Sequence, residues 1–438
     1  MEAAMAKVAI LTTFQEFDPW YSLTGIVKDQ VQMLTEYGNE VFLIVNEKFN
    51  QKNISLFSKF KNITILEKTP FAHLHDYQKD EPLKPEHEKT VNDTTKMLTD
   101  IISEHGIDTF FTHDIVFTGW NKPYALGIQA LKDKTPGIAW LHWIHSIPSQ
   151  FNDWWYMANY GANHKLIYPN RTDIIRVAEN YRTSTGSVRV IPHIKDIRIM
   201  FDFNDNTCAI IDAFPALIQA DIVQIYPASS DRFEAKNVDK VMKIMAYIKS
   251  LGHTVCLFIA NQWATTQKHY ANIDEYYKLG MKYGLTPKKD LIFSSSILDI
   301  NNECMYKKGL PSKILFQLMQ LSNLFVFPTT HETFGLVLPE VSLASGALCV
   351  LNRSLTMQKE IAGSNTIFFD FGSYTHGMNK TDEEWDYYLS QVAIIILGRM
   401  QENDSILTRT FMRKQYNYDN LYAKYYAPVM AELRISHE

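Results

Sequence analysis

The sequence predicts an α/β protein of two parallel-sheet domains, and three observations carry the prediction. At about 100 to 200 residues per domain, a chain of 438 residues divides most simply into two large domains. Near residue 8 and again near residue 222 the chain follows one plan: apolar strand, polar loop, amphipathic helix, second strand. Through both halves, short apolar runs then alternate with helical-period segments, as in βαβ folds.

In the first half, residues 7–12 read as a buried strand, followed by a polar loop to Gly25. A helix then places Val27, Val31 and Leu34 on one face, and residues 36–40 lead into a strand at 41–45. In the second half, 222–226 is the strand, 227–237 the loop, and Val238, Met242, Met245 and Ile248 mark the helix. Residues 251–254 then lead into a strand at 255–260. Gly38 and Gly252 stand where a helix C-terminus wants positive φ. Strands are also expected at 109–112, 137–145, 291–294, 324–328, 347–351 and 366–370, with helices at 312–321 and near 336–344. Patterning lapses at 191–206, where Pro192, Asn204 and Asn206 interrupt it. The expected domains are therefore 1–195 and 196–405. A helical segment, 406–438, follows, rich in tyrosine from Tyr416 to Tyr426 and able to cross back to the first domain.

Composition narrows the function. The chain is 46% hydrophobic and 21% charged, with net charge −5, so no overall positive field draws it to nucleic acid or anionic lipid. Cys208, Cys256, Cys304 and Cys349 stand apart without metal-ligand spacing and read as reduced thiols. Residues 1–7 run straight into a strand without signal-peptide character, and no apolar run is long enough for a membrane span, so a cytoplasmic location is expected. Neither βαβ unit carries G-x-G-x-x-G, which disfavours an oxidoreductase. The Walker A and G-x-S-x-G motifs are missing, as is any D-x-D pair of the kind that holds a metal on a sugar diphosphate. His142 and His145 are separated by two residues and do not form an H-E-x-x-H zinc motif, so no metal site is expected.

The run 324–350 reads as strand, polar loop, helix, strand. A loop after a parallel strand lies at the carboxyl edge, where ligands bind. The free N–H groups of a helix starting near Gly335 and Leu336 suit a phosphate. Glu332 precedes that helix and Glu340 lies in its first turn. The plainer reading is an acid favoured by the helix dipole and a solvated neighbour.

The nine residues 332–340, ETFGLVLPE, resemble the E-x7-E signature of retaining GT-B glycosyltransferases, especially glycosyltransferase family 4. The preceding FVFP strand and the ASG that follows at 344–346 belong to the likeness. It implies a GT-B fold, two Rossmann-like domains facing each other across a cleft. It also implies that Glu332 contacts the donor sugar near its reacting carbon, that Glu340 binds ribose hydroxyls, and that the backbone from Thr333 and Phe334 to Gly335 and Leu336 binds the diphosphate. Relatives carry an Arg and a Lys after the first strand of the second domain, here matched by Arg232 and Lys236, one residue closer together than usual. Two cations there replace a metal on the leaving diphosphate. Gly25 stands where relatives have paired glycines beside the donor phosphates or acceptor, and 191–196 resembles the segment leading into the second domain. Relatives have a strand-end histidine facing the sugar. His145 is the first match and His142 the second, against a core-histidine reading for either.

The resemblance implies a metal-independent, cofactor-free retaining transfer from a nucleotide diphosphate-sugar, UDP first and GDP next, to an acceptor hydroxyl. A GT-B-like epimerase or phosphorylase and a non-catalytic glycan- or nucleotide-binding protein are the alternatives. The acceptor stays open among a glycan, a small molecule, a lipid-linked sugar and a modified nucleic-acid base. Loops 14–23, 71–87 and 149–160 supply aromatic rings for stacking on it.

Overall fold

The computed structural model describes residues 5–70, 73–78, 80–115, 121–132, 134–145, 156–299, 302–363 and 366–435. The chain divides into two compact units, Met1–Asp196 with Tyr416–Glu438, and Ile197–Gln415. The helix Asp404–Gln415 thus stays with the second unit, and the return to the first begins at Tyr416 instead of 406. Arg413, buried on that helix, donates to the carbonyls of Leu217 (3.2 Å), Ile218 and Ala220 (2.8 Å), which closes the turn before the unit's first strand.

In the first unit the strands are β1 (Lys7–Leu11), β2 (Glu40–Asn46), β3 (Ile63–Thr69), β4 (Thr109–His113), β5 (Ala139–Trp143), β6 (His164–Tyr168) and β7 (Val188–Val190). They form one parallel sheet in the order β3-β2-β1-β4-β5-β6-β7. Strand alternation explains why the runs are continuously apolar. Val8 and Ile10 of β1 face the core that holds Val27, Val31 and Leu34 of the helix Ser22–Glu36. Ala9 and Leu11 face the other core, with Leu98 and Ile101 of the helix Glu88–His105. A sheet covered on both faces has no polar alternation to show. The segment from Tyr418 joins the first core: Tyr422 stacks on Tyr37 at 4.0 Å and the Tyr426 hydroxyl accepts from Gln30 at 3.1 Å.

Gly38 and Gly252 both have positive φ, 81° and 96°, each just past a helix end as expected. Gly25 differs from the expected loop position. The helix begins at Ser22, so Gly25 sits in its first turn with open space where a Cβ would project.

The second unit holds β8 (Ile222–Ser229), β9 (Val255–Gln262), β10 (Leu291–Phe293), β11 (Leu324–Phe327), β12 (Leu348–Asn352) and β13 (Ile367–Phe369). Two parallel ladders result, β10-β9-β8 and β11-β12-β13. Side chains join them between β8 and β11. The buried Gln224 amide donates to the Val326 carbonyl at 2.9 Å and accepts from the Val326 N–H at 3.1 Å, as a neighbouring strand would. Ser322 and Asn323 side chains accept the N–H groups of Ile225 (3.1 Å) and Val223 (2.9 Å). Strand order therefore reverses direction between β8 and β11, which makes their carboxyl ends a topological switch point. No helix among the described residues is long and apolar enough to cross a membrane.

Candidate active site at the switch point of the second sheet

The loops that leave β8 and β11 are bonded to each other. The Thr330 N–H donates to the Ala235 carbonyl at 3.1 Å, and the Asn237 amide donates to the Pro328 carbonyl at 2.6 Å. Asn237 has φ +49°, the left-handed conformation that Asn tolerates better than most residues. Buried Tyr226 of β8 donates its hydroxyl to the Lys236 carbonyl at 2.8 Å and pins that turn. Asn352, wholly buried at the end of β12, donates to the carbonyls of Thr329 (2.9 Å) and Gly372 (2.7 Å) and accepts from the Phe371 N–H at 3.0 Å. Three strand ends are thus tied into one rigid edge.

On that edge the Lys236 ammonium is paired with the Glu332 carboxylate, both side chains being largely shielded. The same ammonium stands 5.5 Å from the Phe327 ring centroid. Arg232 is exposed on the same loop and has no ion pair among the described residues. Gly335 has φ +74°, and a Cβ there would stand 3.2 Å from the Phe327 ring. Only glycine enters this turn without strain. The helix Val337–Ala344 follows, with Glu340 in its first turn. Partial burial raises the Glu340 carboxyl above its usual range, and no described side chain or backbone group bonds to it. Thr333, Phe334 and Leu336 are exposed, with Phe334 49% accessible. The first amides of this helix, at Gly335, Leu336 and Val337, donate to no described acceptor, as the start of a helix leaves them. His331 packs against Tyr374, ring centroids 4.6 Å apart. The edge therefore offers cations, free N–H groups and two carboxylates within one loop pair, donors for phosphate and acceptors for hydroxyls.

The histidines of the first unit separate clearly. His142 of β5 is fully buried, Nδ1 bonded to the Thr112 hydroxyl at 2.8 Å and Nε2 to His164 Nδ1 at 2.9 Å. Burial pushes it down to about 3. It is a satisfied core histidine, which removes it from the sugar-facing role. His145, two residues beyond β5, bonds His113 Nδ1 through Nε2 at 2.9 Å and stacks on His193 at 5.2 Å. Burial, then His193, pushes it down to about 4, and its Nδ1 has no partner among the described residues. Gly25 and His145 belong to the first unit, while Arg232, Lys236, Glu332 and Glu340 share the second. In loop 14–23, Trp20 is 93% exposed; residues 71, 72, 79 and 149–155 of the other aromatic loops lie outside the described residues.

Sequence reasoning passed over Gln224 and Asn352. Each is a lone amide inside or closing an apolar strand, IVQIY and LCVLN, and that is the signal that could have found them. Among the described residues no three His, Cys, Asp or Glu side chains converge as metal ligands.

No protein-family model matches the sequence, and no curated protein matches it. Solved structures do. A glycosyltransferase from Rickettsia africae ESF-5 is 12% identical, with 98% of this chain and 99% of that one covered and a TM-score of 0.36. Anabaena Alr3699/HepE in complex with UDP and glucose is 13% identical over 98% and 100%, TM-score 0.36. WaaG, a glycosyltransferase involved in lipopolysaccharide biosynthesis, is 15% identical over 98% and 99%, TM-score 0.30. At these identities and scores, the functional case rests on the chain's own residues.

Proposed function

We propose that the chain is a GT-B glycosyltransferase that moves a sugar from a nucleoside diphosphate, UDP first and GDP next, to an acceptor hydroxyl with retention and without a metal. The observation that carries this reading is the Lys236–Glu332 pair. It joins the two loops of the switch point beside the open helix start, so the E-x7-E segment and the cation loop form one site.

The chemistry is electrostatic. Arg232, Lys236 and the amides at Gly335, Leu336 and Val337 take up the charge that builds on the diphosphate as the sugar–oxygen bond lengthens. The Glu332 carboxylate steadies the oxocarbenium-like carbon and its hydroxyls, and Glu340 holds the ribose diol. The acceptor oxygen bonds to the anomeric carbon on the face the diphosphate leaves. Its proton passes to the departing phosphate oxygen, so nucleoside diphosphate and glycoside are the products. His145 and Gly25 are assigned to the sugar and acceptor side of the reaction.

Nucleotide-sugars screened by thermal shift, then incubated with an acceptor panel, test this reading. Nucleotide release that requires acceptor, and a product with the donor's anomeric configuration by NMR, is the expected result. In Glu332→Gln, turnover should fall by about 10² to 10³ with the unfolding midpoint kept. A folded, fully active variant, or sugar conversion without acceptor, would overturn it.

A further inference from the structure

The opposite, amino edge of the second unit's sheet carries two adjoining cavities. One, of about 370 Å³, is apolar, lined by Ile222, Leu397, Met400, Ile406 and Leu407. The other, of about 510 Å³, has three lysines and one carboxylate in its wall, Lys249, Lys288, Lys289 and Asp290. His253 lines both, so the two spaces adjoin at this residue.

The charges there are only partly balanced. Lys249 is matched by Asp290 at 2.6 Å, and Lys414, beside the apolar cavity, is matched by Asp221. Lys288 and Lys289 are exposed neighbours on the turn before β10, and neither has a carboxylate partner among the described residues. An uncharged apolar molecule would leave both lysines unused, and a free anion would leave the apolar walls in water. A molecule with an alkyl chain and a compact anionic end satisfies both. A phosphate monoester carries a charge of about −1.5 to −2, which matches two lysines better than one carboxylate does.

We infer that a single-chain alkyl phosphate binds across these two adjoining cavities, its chain in the apolar pocket and its phosphate against Lys288 and Lys289. The site is separate from the proposed catalytic edge. β8 runs between them from Ile222 to Ser229, a span of about 23 Å at roughly 3.3 Å per residue. Its failure or success therefore leaves the catalytic reading untouched.

Calorimetry on the full chain with octyl, decyl and dodecyl phosphate, below their micelle concentrations, tests the inference. One molecule should bind per chain, with affinity rising about fourfold per added methylene until the pocket is full. Decanol, decanoate and inorganic phosphate should each bind at least tenfold more weakly than decyl phosphate. Two surface variants, Lys288→Ser with Lys289→Ser, and Leu407→Gln, should each weaken decyl phosphate at least fivefold, with UDP binding and the unfolding midpoint unchanged. Equal binding of decanol would overturn the anionic head, equal decanoate the phosphate, and equal inorganic phosphate the chain. Absence of binding, or wild-type affinity in both variants, would overturn the site itself.

Discussion

At the residue scale, Lys236 has two neighbours that matter, the Glu332 carboxylate and the Phe327 ring. The pair holds the ammonium at the switch point while keeping a buried-side charge compensated, so an arriving diphosphate exchanges one anion for another and leaves no charge bare. Gly335 makes the approach possible. With φ +74° and a prospective Cβ 3.2 Å from Phe327, Gly335→Ala strains the turn that aims the helix amides. Its expected cost is about 1 to 3 kcal/mol of stability, together with a loss of nucleotide affinity of at least tenfold. Urea unfolding and calorimetry read the two effects separately, and unchanged values in both would show that the turn adapts.

At the element scale, β8 and β11 are joined mostly through side chains, with one backbone bond at their start, the Asn323 N–H to the Val223 carbonyl at 3.1 Å. Gln224→Leu leaves the Val326 N–H and carbonyl buried without partners, at about 1 to 3 kcal/mol for each group. A large drop in the urea midpoint is expected; a drop under about 1 kcal/mol would mean that the strands re-pair directly. The same element shows what was legible in the sequence. β1, β2, β8, β9 and β11 could be read because each is a short apolar run ended by a turn residue, and Gly38 and Gly252 marked helix ends through φ alone. β3, β6 and β7 were not read: β3 carries Glu67 and Lys68, β6 opens on His164-Lys165, and β7 has three residues. The Glu332–Glu340 segment was legible as a motif, but its partnership with Lys236 depends on which strands neighbour each other, and spacing along the chain does not encode that. Nor did it reveal that His142 is fully buried while His145 is only partly so, since both follow an apolar strand pattern.

At the scale of the whole molecule, the first unit buries His113, His142 and His164 and partly buries His145 and His193, and loss of water lowers all five. His113, His142, His145 and His164 stay neutral in the fold but take a proton when unfolded below about pH 6.5, so their stabilising contribution is present above that pH and lost as pH falls. Asp29 and Asp114 act oppositely: burial pushes both up to about 6, so the fold keeps two protons that the unfolded chain releases above its ordinary value of 3.8. Four less two leaves a net uptake of about two protons on unfolding near pH 5. Stability should therefore fall between pH 7 and pH 5, measured as the urea midpoint at each pH. A midpoint that is flat or higher at pH 5 would show that the histidines become charged in the fold.

The central claim is that the β8–β11 switch point is a nucleoside diphosphate site. Calorimetric titration of UDP and GDP into the wild-type chain, Lys236→Ala and Arg232→Ala tests it most directly. The account predicts one site per chain and at least a tenfold loss of affinity in Lys236→Ala, about 1.4 kcal/mol, with a smaller loss in Arg232→Ala. Binding of neither nucleotide to the wild-type chain, or affinity unaltered in both variants, would contradict it.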